Sequence, residues 1–588
     1  MSSTTIEDKK TNYGAVVSLT SVFFFWGFIA AGNSVFIPFC KNYFDLDQFN
    51  SQLIDFAFYS AYYLGALVLF IISSQRGKDI VGTWGYKKSI VYGLLFSTLG
   101  AAFMILSVNQ SSYVGMLIGL FIVALGFALQ QTSANPFMIS LGDEATGSSR
   151  INLGGGINSL GTTIGPLIVS LALFGSVGAI SDDAIKELPL TKVIALYCCV
   201  GALFLSIAII FRASKRVPAG VINETTEKAN SALGTLIVIT GLLFMCFAPV
   251  FNSYRSDDAK KIVEIEQAID LLQVDEETGE KILELTPANQ ATMADLTENM
   301  EAIKKPLEQR RMAWLFGGLA AIVLGIGFAY FKSKNNSTGW GAMGYPQLTL
   351  GMLAIFFYVG VEVALASNLG ELLKQDNFGA MKTSEIAPYV SMFWGSMMIG
   401  RWTGAINAFE LKKNTKNILR FVVPLVAFGV VLGVTKLSGY DIDSLYYYVF
   451  CVLMQIVAFF ITNDKPSRTL WVFGALGFLS VVLAISTSGI IAIYGILGAG
   501  LCCSIMWPCI FSLSLAGLGK YQAQGAAFLV MMILGGAIIP PIQGKLSDLD
   551  GVGIQNSYWV SAICFVYLAY FALAVNRILK KQNVDFSA

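Results

Sequence analysis

The sequence contains no histidine, and only 13% of its residues are charged. Without histidine, the most common metal ligand in proteins is missing, and the nine cysteines form no C-x-x-C pair. We therefore expect no metal site, no cofactor and no disulfide framework. The net charge of +1 also gives no reason to expect binding to nucleic acid, which requires a strongly basic surface.

The shortage of charge is matched by an excess of apolar residues. Hydrophobic residues make up 55% of the chain, and the mean hydropathy is +0.64. A soluble domain carries about 25% charged residues, so most of this protein's surface is predicted to face lipid. The polar N-terminus, Met1 to Tyr13, has no cleavable signal pattern, because the apolar span after it is too long for a signal peptide.

Apolar stretches of bilayer-spanning length, roughly 20 residues each, recur along the whole chain. They predict an all-α polytopic membrane protein with about sixteen transmembrane helices. The predicted spans are 14–38, 52–74, 88–107, 112–140, 151–175, 190–212, 232–251, 312–331, 346–370, 386–408, 417–437, 443–463, 467–487, 489–516, 520–545 and 554–577.

Lysine and arginine alternate with acidic residues from one loop to the next. Basic loops include Lys87, Arg212 and Lys332, whereas the loops between them are richer in acid, as at Asp182 and Asp441. Short loops on the cytoplasmic side of a membrane carry the excess of lysine and arginine. This pattern predicts a multi-pass protein of the cell membrane, the bacterial inner membrane in particular, with both termini in the cytoplasm.

The segment 252–311 differs from the rest of the chain, with about fourteen acidic and eight basic residues. Its apolar residues, Ile262 and Ile265 among them, recur at helical spacing. We expect short amphipathic helices outside the membrane, broken near Gly279 and Pro287. The segment is interpreted as a solvated cap or a docking element for a protein partner, since it is too small and charged to hold a core that binds a ligand.

Ionisable residues inside apolar spans are rare, and they tend to mark transport pathways. Glu362 lies in the middle of a span and must face a water-filled cavity or be protonated, so it is a candidate for substrate binding or ion coupling. The alternative is a protonated carboxyl that bonds a neighbouring helix. Asp55 opens the second span, where it serves either the helix dipole or coupling. Arg401 ends a span; it either reaches the cytoplasmic interface or forms a gating ion pair.

Amide side chains are more frequent within the spans than charged ones. An amide both donates and accepts hydrogen bonds, as sugar hydroxyls do, and aromatic rings can stack on the apolar face of a sugar. The combination favours a polar cavity for a neutral polyol, although a single amide can also join two helices. The amides are Asn33, Gln130, Gln131, Asn135, Asn158 and Asn368, and the aromatic residues are Trp26, Tyr62, Tyr358, Trp394 and Trp507.

Six stretches of this sequence resemble the fucose–galactose–glucose:proton symporter family of the major facilitator superfamily, and GVEVALAS is most similar to its glucose/galactose branch. The family implies two six-helix bundles, a central sugar site and alternating access. The stretches are FFFWGFIAAGNSVFIPF, GFALQQTSANPFMISLG, RINLGGGINSLGTTIGP, FFYVGVEVALASNL, FWGSMMIGRWTGA and WPCIFSLSLAGLGKYQAQGAAFLVMMILGGAIIPPIQGKLSD.

The resemblance leaves about four helices beyond the twelve of the family, and it divides the chain into three parts. Residues 1–216 are predicted to form the N-terminal six-helix bundle. An inserted helix pair occupies 217–345 and carries the acidic segment. The C-terminal bundle occupies 346–588, with a second extra helix pair within 417–487.

The chain departs from the family at Gly82, where an acidic residue is expected, and, more importantly for coupling, at two further positions. The family has an aspartate after the asparagine of the first helix and a glutamate before T-x-A-N-P, where they act in sugar binding and proton uptake. Here these positions are Ser34 and Gln131, and neither side chain titrates in the useful range. Three outcomes follow: coupling has moved to Asp55 or Glu362, the protein uses sodium, or it is an uncoupled facilitator.

We therefore expect a secondary active transporter, not an enzyme, that imports a neutral monosaccharide such as glucose or galactose with a proton or sodium. Amino-sugar transport and a sugar sensor that no longer transports are the alternatives. The predicted substrate-binding residues are Asn33, Gln131, Asn135, Asn158, Glu362, Asn368 and Trp394.

Overall fold

The computed structural model describes residues 10–43, 48–175, 190–273, 286–549 and 551–584. The described residues are almost entirely helical and contain no strand, only one isolated antiparallel bridge between Lys78 and Thr225. The predicted all-α fold class is confirmed.

Within the described residues, the N-terminal part contains six long helices and one short one. Ser112 caps one of them by accepting a hydrogen bond from the Gly115 N–H, which satisfies a backbone donor that the helix leaves free. The helices are α1 (Tyr13–Tyr43), α2 (Gln48–Arg76), α3 (Ile80–Trp84), α4 (Tyr86–Asn109), α5 (Tyr113–Ser140), α6 (Gly147–Phe174) and α7 (Leu190–Ala213).

Glycine brings α4 and α5 into close backbone contact. A methyl group added at Gly93 would lie 2.7 Å from the Gly126 carbonyl oxygen, and one at Gly100 would lie 2.6 Å from the Val123 nitrogen. Small residues at a helix interface allow this approach in membranes, where packing must replace the hydrophobic effect as the driving force.

Residues Thr235–Gly325 form a compact unit of their own. The helices that contribute to it are α8 (Asn230–Ser253), α9 (Asp257–Leu272) and α10 (Pro287–Asn335). Arg311 holds the unit together: its guanidinium donates to Ser253 Oγ at 2.7 Å, pairs with Glu308 at 2.6 Å and lies 3.7 Å above the Tyr254 ring.

The acidic segment was expected to consist of separate short helices, and this expectation is wrong for its second half. α10 starts at Pro287 and continues through Pro306 into the apolar span without a break. Proline suits the first turn of a helix, and a proline within a membrane protein helix is tolerated when neighbouring groups satisfy the freed carbonyl. Pro306 removes the N–H that would otherwise bond the Ala302 carbonyl oxygen four residues earlier, yet the helix continues past it. The predicted break at Gly279 lies outside the described residues.

The second compact unit comprises Met1–Gly234 and Ile326–Ala588. Pro346 and Pro466 each open a helix in its C-terminal part. Those helices are α11 (Pro346–Leu373), α12 (Thr383–Gly404), α13 (Lys413–Leu437), α14 (Val449–Thr462), α15 (Pro466–Ser486), α16 (Gly489–Cys503), α17 (Met506–Leu515), α18 (Gln522–Met531), α19 (Gly535–Ser547), α20 (Gly553–Ser557) and α21 (Trp559–Lys581).

Within the described residues, 13 helical segments are long and apolar enough to cross a membrane. The other three predicted spans correspond to α1, α6 and α12, so every predicted span coincides with helix. Large apolar side chains lie exposed on the outer faces, such as Ile210 (68%), Ile461 (58%) and Ile563 (65%). Exposed apolar surface of this extent is stable only in lipid. The bundle boundaries at residues 216 and 346 remain predictions.

The residues between α7 and α8 follow the surface of the N-terminal part as a strap (residues 219–227). Its backbone bonds the turn between α2 and α4, with Ile222 N–H donating to the Gly82 oxygen at 2.9 Å and Thr226 N–H to the Gly77 oxygen at 3.0 Å. At the end of the strap, the Glu227 carboxylate accepts hydrogen bonds from two backbone N–H groups between α10 and α11.

Candidate substrate cavity

A central cavity of about 270 Å³ lies between the N-terminal helices α1, α2, α5 and α6 and the C-terminal helices α11, α12 and α17. Its polar and aromatic lining residues are Phe23, Trp26, Phe58, Tyr59, Tyr62, Gln131, Asn135, Asn158, Ser159, Thr162, Tyr358, Glu362, Trp394, Arg401 and Trp507. This volume is close to the lower end of the range for small-molecule sites, about 300–1,000 Å³.

Most of the predicted binding residues lie in this cavity. Gln131, Asn135, Asn158, Glu362 and Trp394 all contribute to its wall. Three of them come from the N-terminal part and two from the C-terminal part, so the cavity depends on both.

Asn368 is not among the lining residues of the central cavity. Its amide N–H donates to the Ala364 oxygen of its own helix at 2.9 Å. The side chains of Asn33 and Asp55 lie outside the described part of the structure, so their roles remain predictions.

The cavity amides share one hydrogen-bonding arrangement. Gln131 Nε2 donates to Tyr62 Oη at 3.4 Å, Asn135 Nδ2 to the Gln131 carbonyl at 3.0 Å, and Asn158 Nδ2 to the Phe23 carbonyl at 3.1 Å. Protein groups thus hold each amide nitrogen, and no described residue donates to the three amide oxygens. The Asn135 oxygen is buried without a partner, which is costly unless a ligand or water supplies a donor. The oxygens are placed to accept hydrogen bonds from hydroxyl groups.

Gln130 has a different role from its neighbour. It accepts a hydrogen bond from Trp26 Nε1 at 2.9 Å and donates to Ser97 Oγ at 3.1 Å, and its side chain is fully buried. For this residue the alternative of an interhelical bond is the one that the structure shows.

Arg401 points into the protein, and its predicted reach to the membrane interface is wrong. Its guanidinium lies 3.5 Å from the Glu362 carboxylate, and donates to the Ser504 carbonyl at 3.1 Å and to Ser159 Oγ at 2.8 Å. Arg401 and Glu362 are each only 13% exposed. A guanidinium removed from bulk water needs such partners. The structure therefore shows the ion pair of the other interpretation, and a role of this pair in gating remains a prediction.

Aromatic rings close the cavity from both parts of the protein. Phe23 packs on Trp26 with ring centroids 4.4 Å apart, and Tyr358 packs on Trp507 at 6.1 Å. The walls therefore offer flat apolar surfaces beside the amide oxygens, which matches the two kinds of surface on a sugar ring.

One end of the central cavity is closed where α6 meets α12 (the closed end). Trp402 Nε1 donates to the Gly156 oxygen at 3.1 Å, and a methyl group added at Gly404 would lie 2.6 Å from the Asn152 amide. Farther out, the Glu410 N–H donates to Tyr13 Oη at 3.0 Å. Direct bonds between the two parts hold this end shut.

Ser159 was not predicted as a site residue, and Arg401 was not predicted to line the substrate cavity, although helical spacing could have indicated both. Ser159 follows Gly155 by four residues and precedes Thr162 by three, which places all three on one face of α6. Arg401 follows Trp394 by seven residues, two turns along α12 on the same face. Asn368 follows Glu362 by six residues, a spacing that turns it away from the cavity.

Comparison with known proteins shows relatives along nearly the whole chain. The glucose/galactose transporter of Brucella abortus biovar 1 (strain 9-941) is 28% identical over 563 residues, covering 96% of this chain and 94% of the relative. The L-fucose-proton symporter of Escherichia coli (strain K12) is 23% identical over 554 residues, covering 94% and 91%. No protein-family model matches the chain.

Solved structures agree on the fold. The crystal structure of the major facilitator superfamily transporter FucP in the outward conformation matches with a TM-score of 0.58 and 20% identity, covering 96% of this chain and 99% of that chain. A crystal structure of an asparagine-to-alanine variant of the E. coli fucose:proton symporter FucP matches with a TM-score of 0.57, 20% identity and the same coverage. The major facilitator fold and the family resemblance seen in the motifs are thereby confirmed.

Proposed function

We infer that this chain, a major facilitator protein related to glucose/galactose transporters and L-fucose-proton symporters, is a secondary transporter of a neutral monosaccharide. The central cavity carries the proposal, because one small polar space collects amides from the N-terminal part and aromatic and charged groups from the C-terminal part. Polar and charged side chains are costly within a membrane, and those that line an internal cavity tend to mark the pathway of a solute.

The lining favours a solute with many hydroxyl groups and no charge. The amide oxygens of Gln131, Asn135 and Asn158 would accept hydrogen bonds from hydroxyls, while the cavity aromatics would cover the C–H face of the ring. Glu362 and Arg401 largely neutralise each other, so neither sign of charge in a substrate would be favoured. Glucose and galactose, the solutes named for the relatives, fit this description.

Transport would proceed by alternating access. The closed end blocks one exit from the cavity through contacts between α6 and α12. Breaking the Trp402 and Arg401 bonds to α6 would open it, while the opposite ends approach. The basic loops predict a cytoplasmic position for the closed end, and with that orientation the described state would face outwards.

For coupling, we propose a proton on Glu362. The family's usual acids are Ser34 and Gln131 here, so within the described cavity lining Glu362 is the only carboxyl group. A proton on Glu362 would remove its attraction for Arg401, which also holds Ser159 across the interface between the two parts. Protonation would thus change the strength of a contact that must break during transport.

Uptake into proteoliposomes tests the proposal. Glucose, galactose, fucose and N-acetylglucosamine would each be offered with a proton gradient, a sodium gradient or neither. Accumulation of a neutral hexose driven by protons supports the proposal as a whole. Accumulation with sodium alone, or equilibration without accumulation, would contradict the coupling step and leave sugar transport standing. No movement of any sugar would refute the function.

Variants of the cavity test the site. Asn158→Ala and Glu362→Ala should abolish counterflow of labelled sugar. Asn368→Ala is the matched control, because Asn368 lies on the same helix as Glu362 but outside the cavity lining, and it should keep near-normal counterflow. Equal activity of all three variants and the wild type would refute the site assignment.

A further inference from the structure

A second cavity, about 590 Å³, lies away from the central cavity, between the start of α15, the end of α21 and α17. We call it the basic pocket, and define it by Lys465, Ser467, Arg468, Trp471, Leu573 and Lys580. Three of these six residues are cations, and the described residues that line the pocket include no carboxylate. Sugar transport as proposed above makes no use of it.

The cations of the basic pocket have no partner within the described residues. No described carboxylate pairs with Lys465, Arg468 or Lys580. Asp464 directly precedes Lys465 in the sequence. Asp464 is instead held by Arg420 in a pair whose members are each 12% exposed. Three like charges are thus gathered around one space, which costs free energy unless an anion occupies it.

The backbone adds to the positive potential. α15 spans 21 residues, starts with Pro466 in its first turn, and has no side-chain cap at Lys465. The N–H groups of its first turn are therefore left without a side-chain acceptor, and a helix N-terminus of this kind favours a phosphate oxygen. Ser467 offers a hydroxyl beside them.

The opposite wall of the pocket is firmly held. Gln582, directly after α21, exchanges hydrogen bonds with Gln347 at 3.0 and 2.9 Å, and Gln347 also donates to the Ala516 carbonyl at 3.1 Å. The end of α21 is fixed by these bonds, so Lys580 is presented from a rigid frame.

The pocket continues onto the lipid-facing surface. Trp471 is 43% exposed and Leu573 is 46% exposed, on the outer faces of α15 and α21. Tryptophan is typical of the level of lipid headgroups. A ligand here can place an anionic group among the cations and apolar chains along these two residues, which a soluble anion cannot do.

We propose that the basic pocket binds the phosphate headgroup of an anionic phospholipid. Basic pockets between transmembrane helices on the cytoplasmic side are suited to such headgroups, and the lysine- and arginine-rich loops of the chain predict that side for this pocket. α15 lies within 417–487, where the extra helix pair was predicted, so lipid binding would give these added helices a role that sugar transport does not require.

Native mass spectrometry of the full-length protein in detergent would measure the binding. Phosphatidylglycerol, phosphatidylcholine and inorganic phosphate would be added in separate titrations. We expect retention of phosphatidylglycerol and little retention of phosphatidylcholine. Each cation near a membrane surface contributes roughly a fivefold change in affinity, so the triple variant K465Q/R468Q/K580Q should bind phosphatidylglycerol about a hundredfold more weakly.

The matched control is K412Q/K413Q/K416Q, which removes the same charge from the start of α13, another loop predicted to be cytoplasmic. It should keep wild-type affinity, and both triple variants should give the wild-type elution volume in size-exclusion chromatography. Equal losses in the two variants would overturn the proposal in favour of nonspecific charge. Inorganic phosphate that binds as tightly as the lipid would assign the pocket to a soluble anion and also overturn it.

Discussion

The ion pair between Glu362 and Arg401 should contribute far more to stability than the ion pair between Glu371 and Lys374, although the charged atoms of the second pair lie closer together. At a separation of 3.5 Å and an effective dielectric constant of about 20, the Coulomb attraction is about 5 kcal/mol. Water in the central cavity reduces this figure, and we expect a coupling free energy of about 3 kcal/mol, within the range measured for close charge pairs. Glu371 and Lys374 lie closer, at 2.7 Å, but are 65% and 44% exposed. Exposed pairs contribute about 0–1 kcal/mol.

A double-mutant cycle measures the difference. The free energy of unfolding would be determined in one detergent for Glu362→Gln, Arg401→Gln and the double variant, and the same cycle repeated for Glu371→Gln and Lys374→Gln. Each single change at the cavity leaves its partner buried and unpaired, whereas the double variant removes both charges. We expect strong non-additivity at the cavity pair and near-additivity at the exposed pair.

Additive effects at Glu362 and Arg401 would refute the reasoning. Arg401 would then be stabilised by its hydrogen bonds to Ser159, Ser504 and Tyr358, and protonation of Glu362 could not weaken the contact between the two parts of the protein. A coupling free energy at the exposed pair equal to that at the cavity pair would show that distance, rather than burial, sets the strength.

Three further predictions concern the loops, the helix contacts and the closed end. Burial of the Asp79 side chain raises the pKa of this carboxyl to about 6, with hydrogen bonds from Gly82 and Val81 acting in the opposite direction. The folded protein then binds the proton more tightly than the unfolded chain, so stability falls by about 3 kcal/mol as the pH rises from about 4 to above 6; Asp79→Asn should remove this fall in pH-dependent unfolding. Gly27→Ala should destabilise the fold by at least about 1–3 kcal/mol, measured by unfolding in detergent, because the added methyl group would lie 1.9 Å from a carbonyl oxygen of α6. Trp402→Phe removes the hydrogen bond to α6 and should favour opening of the closed end by about 1 kcal/mol, measured from distances between spin labels on the two parts.

Each of these has a control or a contradicting outcome. Asp79→Asn with an unchanged pH profile would mean that another group titrates. Gly433→Ala is the control for Gly27→Ala, because no atom lies within 4 Å of the added methyl group, and it should be neutral or slightly stabilising. Trp402→Phe with wild-type label distances would show that the closed end is held by other contacts.

The extent to which the sequence predicted the fold depends on how local each signal is. Apolar spans are local, since lipid requires each helix to be apolar over its own length, and all sixteen coincide with helix. The interruption expected in the acidic segment was inferred from local composition too, but Pro287 proved to start a helix. Pro306 does not interrupt that helix either, and composition alone does not reveal whether an internal proline will do so.

The site shows the same limit. The amides and Glu362 could be named because polar groups within apolar spans are conspicuous. Arg401 was ambiguous, because an arginine at a helix end can turn towards water or inwards. The partners that decide its direction, Ser159 and Ser504, are 242 and 103 residues away in sequence. Such contacts follow from the packing of the helices, which no single segment specifies.

The strap of residues 219–227 has a consequence for how the protein can be divided. The strap connects α7 to the inserted helices. Because its backbone is bonded to the turn after α2, it nevertheless belongs structurally to the N-terminal part. Co-expressed fragments 1–229 and 230–588 would keep these bonds within one polypeptide and should reassemble. A division before Val217 would place the strap on the other fragment, and complementation would then require a pairing between chains.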